Sequence, residues 1–438
     1  MSSRDSGTQT TSTGRLASLD GLRGLAALIV VMHHTMLMDA DFPGNPGAGD
    51  PQAGTILWWM NYTPLKLATA GWEAVIVFFV LSGLVVTLPV VKRAGFDWIA
   101  YYPRRIMRLM IPVAGAVLVA AAFVVAIPQR STQPAGTWLS NSSTPNFSWE
   151  YIIKAWDLVG GDGHIDNPLW SLRWEMLFSL ALPVFVILAI SLRKWWTAGL
   201  AAAVVLTWLG VRGGSGALSF FPAFFVGAVL AVRLDAVRVF AGHVNRYALR
   251  HVAWLGIMIG SSMLLIAPWL FGPGAGGELT AALRALAPLA AAGLVLCAIG
   301  WKPLEGLLSS APFAFAGRIS FSLYLVHVPI LIFCAYLFAG QPMFVAALVG
   351  IPLAILVAVG FTWLLEARSH QWARAVGAWA SARYAAAFRA PAPQSGPEAQ
   401  SGPEPKSRPA PDRAGEEGAG AVTGRREAAT PAQRSHAS

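Results

Sequence analysis

Within the apolar runs of this chain sit a few groups able to move a proton or hold an anion. An ionisable side chain deep in a lipid-solvated span costs about 2.5–3.5 kcal/mol or more, so each one asks for a function. Four segments stand out. In the first, Leu19-Asp20-Gly21-Leu22-Arg23-Gly24 is followed by His33 and His34. His34 falls about 16 Å beyond Arg23 along a helix axis and on nearly the same face. An imidazole near mid-membrane can take a proton from a hydroxyl at neutral pH; a lone histidine there also serves as a packing residue bonded to a neighbouring helix. In the second segment, Tyr101 to Pro112, Arg104 and Arg108 share a helix face with Arg105 beside them. Such a fork suits phosphate oxygens, and it equally suits anchoring at the inner membrane surface. The third, Asn167 to Phe178, carries Arg173 and Glu175 into a span; two apart on a helix they point differently, so Glu175 is expected to face a polar cavity. The fourth places Ser320, Tyr324 and His327 at i, i+4 and i+7. This polar stripe belongs on the bundle interior, as part of a site or as a hydrogen-bonded seam.

The elements that must hold these groups are membrane helices. Of 438 residues, 55% are hydrophobic and 12% charged, against about 25% charged in soluble domains. The charge is concentrated between long apolar runs, as lipid selects. Ten runs are long enough to read as spans: 17–38, 70–91, 107–128, 172–192, 195–211, 217–234, 250–271, 279–300, 319–339 and 343–366. The expected fold is therefore an all-α polytopic membrane bundle of about ten transmembrane helices. An even number puts both ends on one side. With that side cytoplasmic, the inner segments hold Lys92, Arg93, Arg104, Arg105, Arg108, Arg193, Lys194 and further basic residues, whereas the outer ones hold only Lys66, Arg130, Lys154, Arg212 and Arg284. This bias supports the orientation at every inner loop. It also explains the net charge of +10 without nucleic acid.

Around the bundle the composition changes. Residues 1–16 form a polar cytoplasmic segment with no signal-peptide pattern. The membrane domain is placed at 17–370, and a basic, Trp- and Ala-rich stretch at 371–389 suits an amphipathic helix on an anionic leaflet. Residues 390–438, rich in Pro, Gly, Ser, Glu and Arg with Ser-Gly-Pro-Glu twice, are expected to be a disordered cytoplasmic tail. The largest outer loop, about 129–168, is rich in Ser, Thr, Asn, Pro and Trp; Trp138, Trp149, Trp156 and, just past it, Trp170 are mostly interface anchors and for a minority a platform for a sugar face. Cys297 and Cys334 lie inside apolar runs, so no disulfide framework is suggested.

Together the segments resemble acyltransferase family 3, the membrane O-acyltransferases that acylate bacterial sugars and glycans. That family opens with Leu-Asp-Gly-Leu-Arg-Gly and places a histidine at the spacing that Arg23 and His34 show, which favours His34 over His33. Its Phe-Phe-Val-Leu-Ser-Gly stands at Phe78 to Gly83, its Arg-x-x-x-Arg at Arg104 and Arg108, its Leu-Trp-Ser-Leu-x-x-Glu at Leu169 to Glu175, its Ser-x-Ser-x-Tyr-Leu-x-His at Ser320 to His327, and its closing glutamate at Glu366. The chain departs where the family often has Glu-Gln-Phe-Tyr after the glutamate, carrying Met176-Leu177-Phe178-Ser179. It departs again in having Ala367-Arg368 after Glu366, where Lys-Pro or Arg-Pro is usual.

The resemblance implies transfer of an acyl group, often acetyl, from a coenzyme A thioester to a hydroxyl of a carbohydrate or glycolipid acceptor at the cell membrane. Under it, Arg104, Arg108 and Arg105 would hold the donor phosphates with Arg23 nearby, His34 would be the general base, and Glu175 would orient His34 or bind the acceptor. Ser320 and Arg173 would line the passage between the two ends, and Tyr324 and His327 would line it or polarise the thioester carbonyl. Acyl-coenzyme A is then a donor substrate, with no tightly bound cofactor, and the carboxylates and histidines are too scattered along the chain for a metal site. A proton-coupled transporter or exporter is the competing class, since ten spans with buried His, Glu and Arg also suit a carrier; no internal repeat relates the two halves.

Overall fold

The computed structural model describes residues 13–45, 48–127, 129, 137–160, 165–271 and 277–388. The tail expected to be disordered, 390–438, and residues 1–12 lie outside them. Among the described residues the chain is helices and turns, without a strand. In chain order the helices used below are α1 (Thr13–Leu37), α2 (Gly71–Lys92), α3 (Trp98–Ala126), α4 (Thr137–Ser142), α5 (Leu169–Leu180), α6 (Leu182–Ser191), α7 (Trp196–Gly213), α8 (Gly216–Val232), α9 (Leu234–Val244), α10 (Arg250–Leu265), α11 (Gly277–Ala285), α12 (Ala287–Gly300), α13 (Lys302–Leu308), α14 (Ala311–Leu337), α15 (Met343–Phe361) and α16 (Ala367–Phe388).

Lipid is the solvent these helices suit. Leu348 and Leu356 of α15, Ile187 of α6 and Val205 of α7 point outward and are exposed, whereas His327, Ser320 and Ser322 of α14 are completely buried. A water-soluble bundle would reverse this arrangement. By length and composition six helices among the described residues can cross a membrane, or up to eight if each of two bent pairs is one span. The count of about ten expected from sequence is not reached. α1 carries Asp20 and Arg23 in its interior, α10 has only 16 residues, and the runs at 172–192 and 217–234 belong to the bent pairs, α5–α6 at 66° and α8–α9 at 74°.

The α5–α6 bend has a chemical cause. Pro183 has no N–H to give to the Ser179 carbonyl one turn back. The Tyr101 hydroxyl of α3 donates to that carbonyl instead, at 3.1 Å, and the Tyr102 hydroxyl donates to the Leu180 carbonyl at 3.4 Å. Thus a broken helix is stitched to α3 at the turn that carries Glu175.

Glycines bring the helices that matter into contact. A Cβ at Gly24 of α1 would lie 2.4 Å from the Gly317 nitrogen of α14, and one at Gly317 would lie 2.4 Å from the Asp20 carbonyl oxygen. A Cβ at Gly21 would meet the Leu308 carbonyl of α13. On the other side, Gly83 of α2 abuts the Phe224 carbonyl of α8, and Gly227 of α8 abuts Val80. Close backbone approach of this kind is what small residues provide between membrane helices, where apolar contact with lipid competes with apolar contact with protein. α1 and α14 consequently run side by side in parallel, α2 packs on α8, and α15 packs on α14.

α15 does not stop at the membrane-domain end. Thr362–Glu366 form one π-helical turn, and Met343–Phe388 runs on as one 46-residue helix. Its last part, α16, turns Ser369, Ala373 and Gly377 against α3, so that the Arg104 side chain lies directly beneath Gly377.

Candidate active site

The centre of the site is an imidazole pair. His34 of α1 and His327 of α14 are both buried, and His327 Nε2 lies 3.0 Å from His34 Nδ1. His327 Nδ1 faces the carbonyl oxygens of Tyr324 at 2.8 Å and Leu323 at 3.0 Å. Carbonyls only accept, so that nitrogen carries the proton and, in the neutral ring, His327 Nε2 is an acceptor. His34 Nδ1 also faces the Val30 carbonyl at 3.1 Å. It therefore donates to both. The network thus assigns the lone pair of His34 to Nε2, which has no hydrogen-bond partner among the described residues.

Three further groups frame the pair. Trp138 of α4 lies across His34 with ring centroids 5.2 Å apart. It is held there by Asn45, whose side-chain oxygen accepts from the Trp138 backbone N–H at 2.9 Å and whose amide donates to the Leu37 carbonyl at the end of α1. Tyr324, one turn before His327, shares a 2.6 Å hydrogen bond with Ser171 at the start of α5. Phe78 of α2 packs edge-on to Tyr324. His33, the neighbour of His34, is committed elsewhere: its Nδ1 donates to the Thr69 carbonyl at 2.8 Å, and its ring fills the space over Gly71.

The second half of the site is a charged cluster where α1, α3, α5, α14 and the π turn meet. Arg23 donates to Ser320 at 3.3 Å. Ser322 donates to Glu366 at 2.5 Å and accepts from Thr362 at 2.8 Å. Arg23 and Arg108 both act electrostatically on Glu366, and together with Arg374 they surround His370. Arg105 is spent on Glu175: its Nη2 reaches Glu175 Oε1 at 2.6 Å and its Nε reaches Ser179 at 2.9 Å. Ser82 adds a second bond to the same carboxylate at 3.3 Å. Arg108, by contrast, is exposed and has no hydrogen-bond or ion-pair partner among the described residues.

The structure therefore gathers most of the residues singled out by sequence, and divides them in two. His34, His327 and Tyr324 meet at one level; Arg23, Ser320, Arg105, Arg108 and Glu175 form the other. The polar stripe of α14 links them, Ser320 at the charged end and His327 at the imidazole end. Glu175 is held by Arg105 and Ser82 rather than by His34, whose orienting partner is His327. Arg104 is exposed under α16. Arg173 is exposed on the other face of α5, 5.7 Å from the Trp174 ring, outside both groups. Sequence reasoning did not single out Trp138 as the cover of His34, nor Ser171, Ser322 and His370. Ser171 and Ser322 lie inside quoted motifs and were findable there; Trp138 sits in a loop whose contacts are all distant in sequence.

A bundle of apolar helices wrapped around a buried imidazole pair and an arginine-rich end defines a polytopic membrane protein with a polar core. The family model described as an acyltransferase domain matches residues 16–366, and the chain belongs to that family, acyltransferase family 3. It is a multi-pass membrane acyltransferase. No match was found among curated proteins or among solved structures.

Proposed function

We propose that the protein moves an acyl group, acetyl in the simplest case, from a coenzyme A thioester to a hydroxyl of a carbohydrate or glycoconjugate acceptor. The observation that carries this reading is the His34–His327 pair with its single unengaged nitrogen. In the reaction the acceptor oxygen attacks the thioester carbonyl carbon, and its proton passes to His34 Nε2. The C–S bond then breaks, and the proton leaves with the thiolate as coenzyme A thiol. His34 becomes an imidazolium in the course of attack, and His327 Nε2 accepts its Nδ1–H throughout. A base held in one tautomer by a neutral acceptor suits a site in which a full counter-charge would be costly to bury.

The charged end suits the donor. Arg108 is uncommitted and has Arg23, Arg374 and His370 around it, a set matched to phosphate oxygens. Arg105 contributes by fixing Glu175 and with it the α3–α5 junction. The pantetheine arm would follow the α14 stripe from Ser320 toward His327. The basic inner loops favour the cell membrane with both termini in the cytoplasm, so the donor end faces the cytosol.

The test uses purified protein in detergent with acetyl-coenzyme A and a panel of glycosides. Acceptor-dependent thiol release with an acetylated glycoside in the products is expected, and its loss in His34→Ala. Movement of a labelled solute across vesicles without covalent change, unaffected by that substitution, would instead favour the transporter class.

A further inference from the structure

Asp166 is completely buried, and among the described residues neither of its carboxyl oxygens has a hydrogen-bond partner. It lies in the turn that leads into α5, where its carbonyl accepts from Leu169 N–H at 3.1 Å. This turn belongs to the cover of the imidazole site. Its next residue, Asn167, donates to Ser142 of α4 at 3.4 Å, and α4 carries the Trp138 that lies on His34. Ser171, one turn further on, holds the Tyr324 hydroxyl. Asp166 is within electrostatic reach of that hydroxyl. From His34 the site extends by two ring contacts, 5.0 Å to His327 and 5.9 Å from there to Tyr324.

A buried carboxyl with neither a donor nor a cation beside it is rare in folded proteins, because the group loses its hydration and gains nothing. Burial alone drives the Asp166 carboxyl well above the usual carboxylate range, and no neighbouring charge offsets it. Such a group is satisfied when a ligand brings hydroxyls, which donate to a carboxylate and both donate to and accept from a carboxyl. A monohydric acceptor would place its one hydroxyl at His34 and leave Asp166 unsatisfied. A polyol supplies both.

We infer that Asp166, with Ser171 and Tyr324, binds a second hydroxyl of the acceptor while the first is presented to His34, and so selects polyhydroxylated acceptors over simple alcohols. This rests on the acyl-transfer reading above and names the side of that site which recognises the acceptor. Asp166 is a binding residue here; it takes no part in moving the proton.

The experiment measures thiol release from acetyl-coenzyme A with n-octyl glycosides of the common hexoses and with n-octanol, which shares their tail and has one hydroxyl. Wild-type protein is expected to prefer a glycoside. Asp166→Leu raises the KM for that glycoside about tenfold or more, as expected when a site built around a hydroxyl loses its partner, and so narrows the preference for the glycoside over n-octanol by the same factor. Asp166→Asn, which keeps a polar head of the same size, falls between. Binding gives a readout independent of turnover: the glycoside raises the Tm of the wild type and not of Asp166→Leu. An unchanged glycoside KM in a folded variant overturns the inference, and so does an equal loss with both acceptors, which marks a purely structural role. Wild-type protein that releases thiol with no acceptor at all overturns the acyl-transfer reading and the inference with it.

Discussion

His34 Nδ1 and His327 Nε2 stand 3.0 Å apart on two parallel helices. The tautomer of each ring follows from backbone carbonyls that can only accept, so the pair has a direction: His34 is the nitrogen donor and His327 the acceptor. Removing the base is expected to lower turnover by about 10²–10⁴-fold. His327→Ala should reduce kcat less, since it leaves the base and removes the group that fixes it. His327→Gln, whose amide oxygen can accept from Nδ1, should recover part of the loss. Steady-state thiol release in the three variants checks this order.

Arg105 and Arg108 are separated by less than one turn of α3 and are expected to behave differently. Arg105 binds Glu175 and Ser179, and both members of the ion pair are largely shielded, with side-chain exposures of 12% and 23%. Arg105→Ala leaves Glu175 with Ser82 alone and should cost about 2–4 kcal/mol of stability, visible as a lower Tm. Arg108→Ala should leave the Tm nearly unchanged and raise the KM for acetyl-coenzyme A about tenfold. Equal stability losses in the two variants would make both residues architectural.

Gly24 and Gly317 set the spacing on which the imidazole pair depends. Gly24→Ala introduces a Cβ 2.4 Å from the Gly317 nitrogen, which only a shift of α1 can relieve. Separation of His34 from His327 by even about 1 Å is enough to cost roughly 10²-fold in a positioned reaction. The expected result is an inserted protein with strongly reduced kcat. Gly242→Ala, at a helical position where an added Cβ meets nothing within 4 Å, is the matched control and should retain activity.

Lys66 lies in the short 3-10 helix Pro64–Thr69, outside the spans, fully buried. It donates to Asn61 at 2.8 Å and rests 3.6 Å from the Trp269 ring centre. Burial lowers its ammonium from the ordinary lysine value of 10.5 to about 8, with Glu73 opposing the shift. Below pH 8 both folded and unfolded states hold the proton, and the folded state bears the full cost of a buried charge. Between pH 8 and 10.5 the unfolded state binds more protons, so stability rises with pH across that window, by about 3 kcal/mol. Tm measured from pH 7 to 10.5 should climb in the wild type, and the contribution of this residue should be missing in Lys66→Met.

Much of this was legible before any coordinates, and for identifiable reasons. Arg23, His34, Ser320, Tyr324 and His327 are expensive in lipid, and their helical spacing alone placed them on interior faces. What spacing cannot convey is partnership between distant segments. Nothing within the sequence of α5 says that Glu175 answers to Arg105 rather than to His34, because that pairing is made by the bend at Pro183 and the two tyrosine hydroxyls that close it. The same holds for Asp166. In a loop of Gly, Asp, Asn and Pro it looks like any solvated acid, and its burial arises only when α4 and the start of α5 fold over α1. The span count suffered in the opposite way: hydropathy does not register the bends of 66° and 74° at which the runs near 172–192 and 217–234 turn.

The continuation of α15 through its π turn into α16 bears on where this enzyme can be cut. The family match ends at Glu366, in the last residue of that turn, yet the compact unit extends to Phe388. Twenty-two residues of α16 lie past the match. They bring His370 and Arg374 up to Arg108 and lay Gly377 over Arg104. A version trimmed to the matched region would keep the imidazole pair and lose one wall of the arginine cluster, so a minimal enzyme of this type is longer than its family signature.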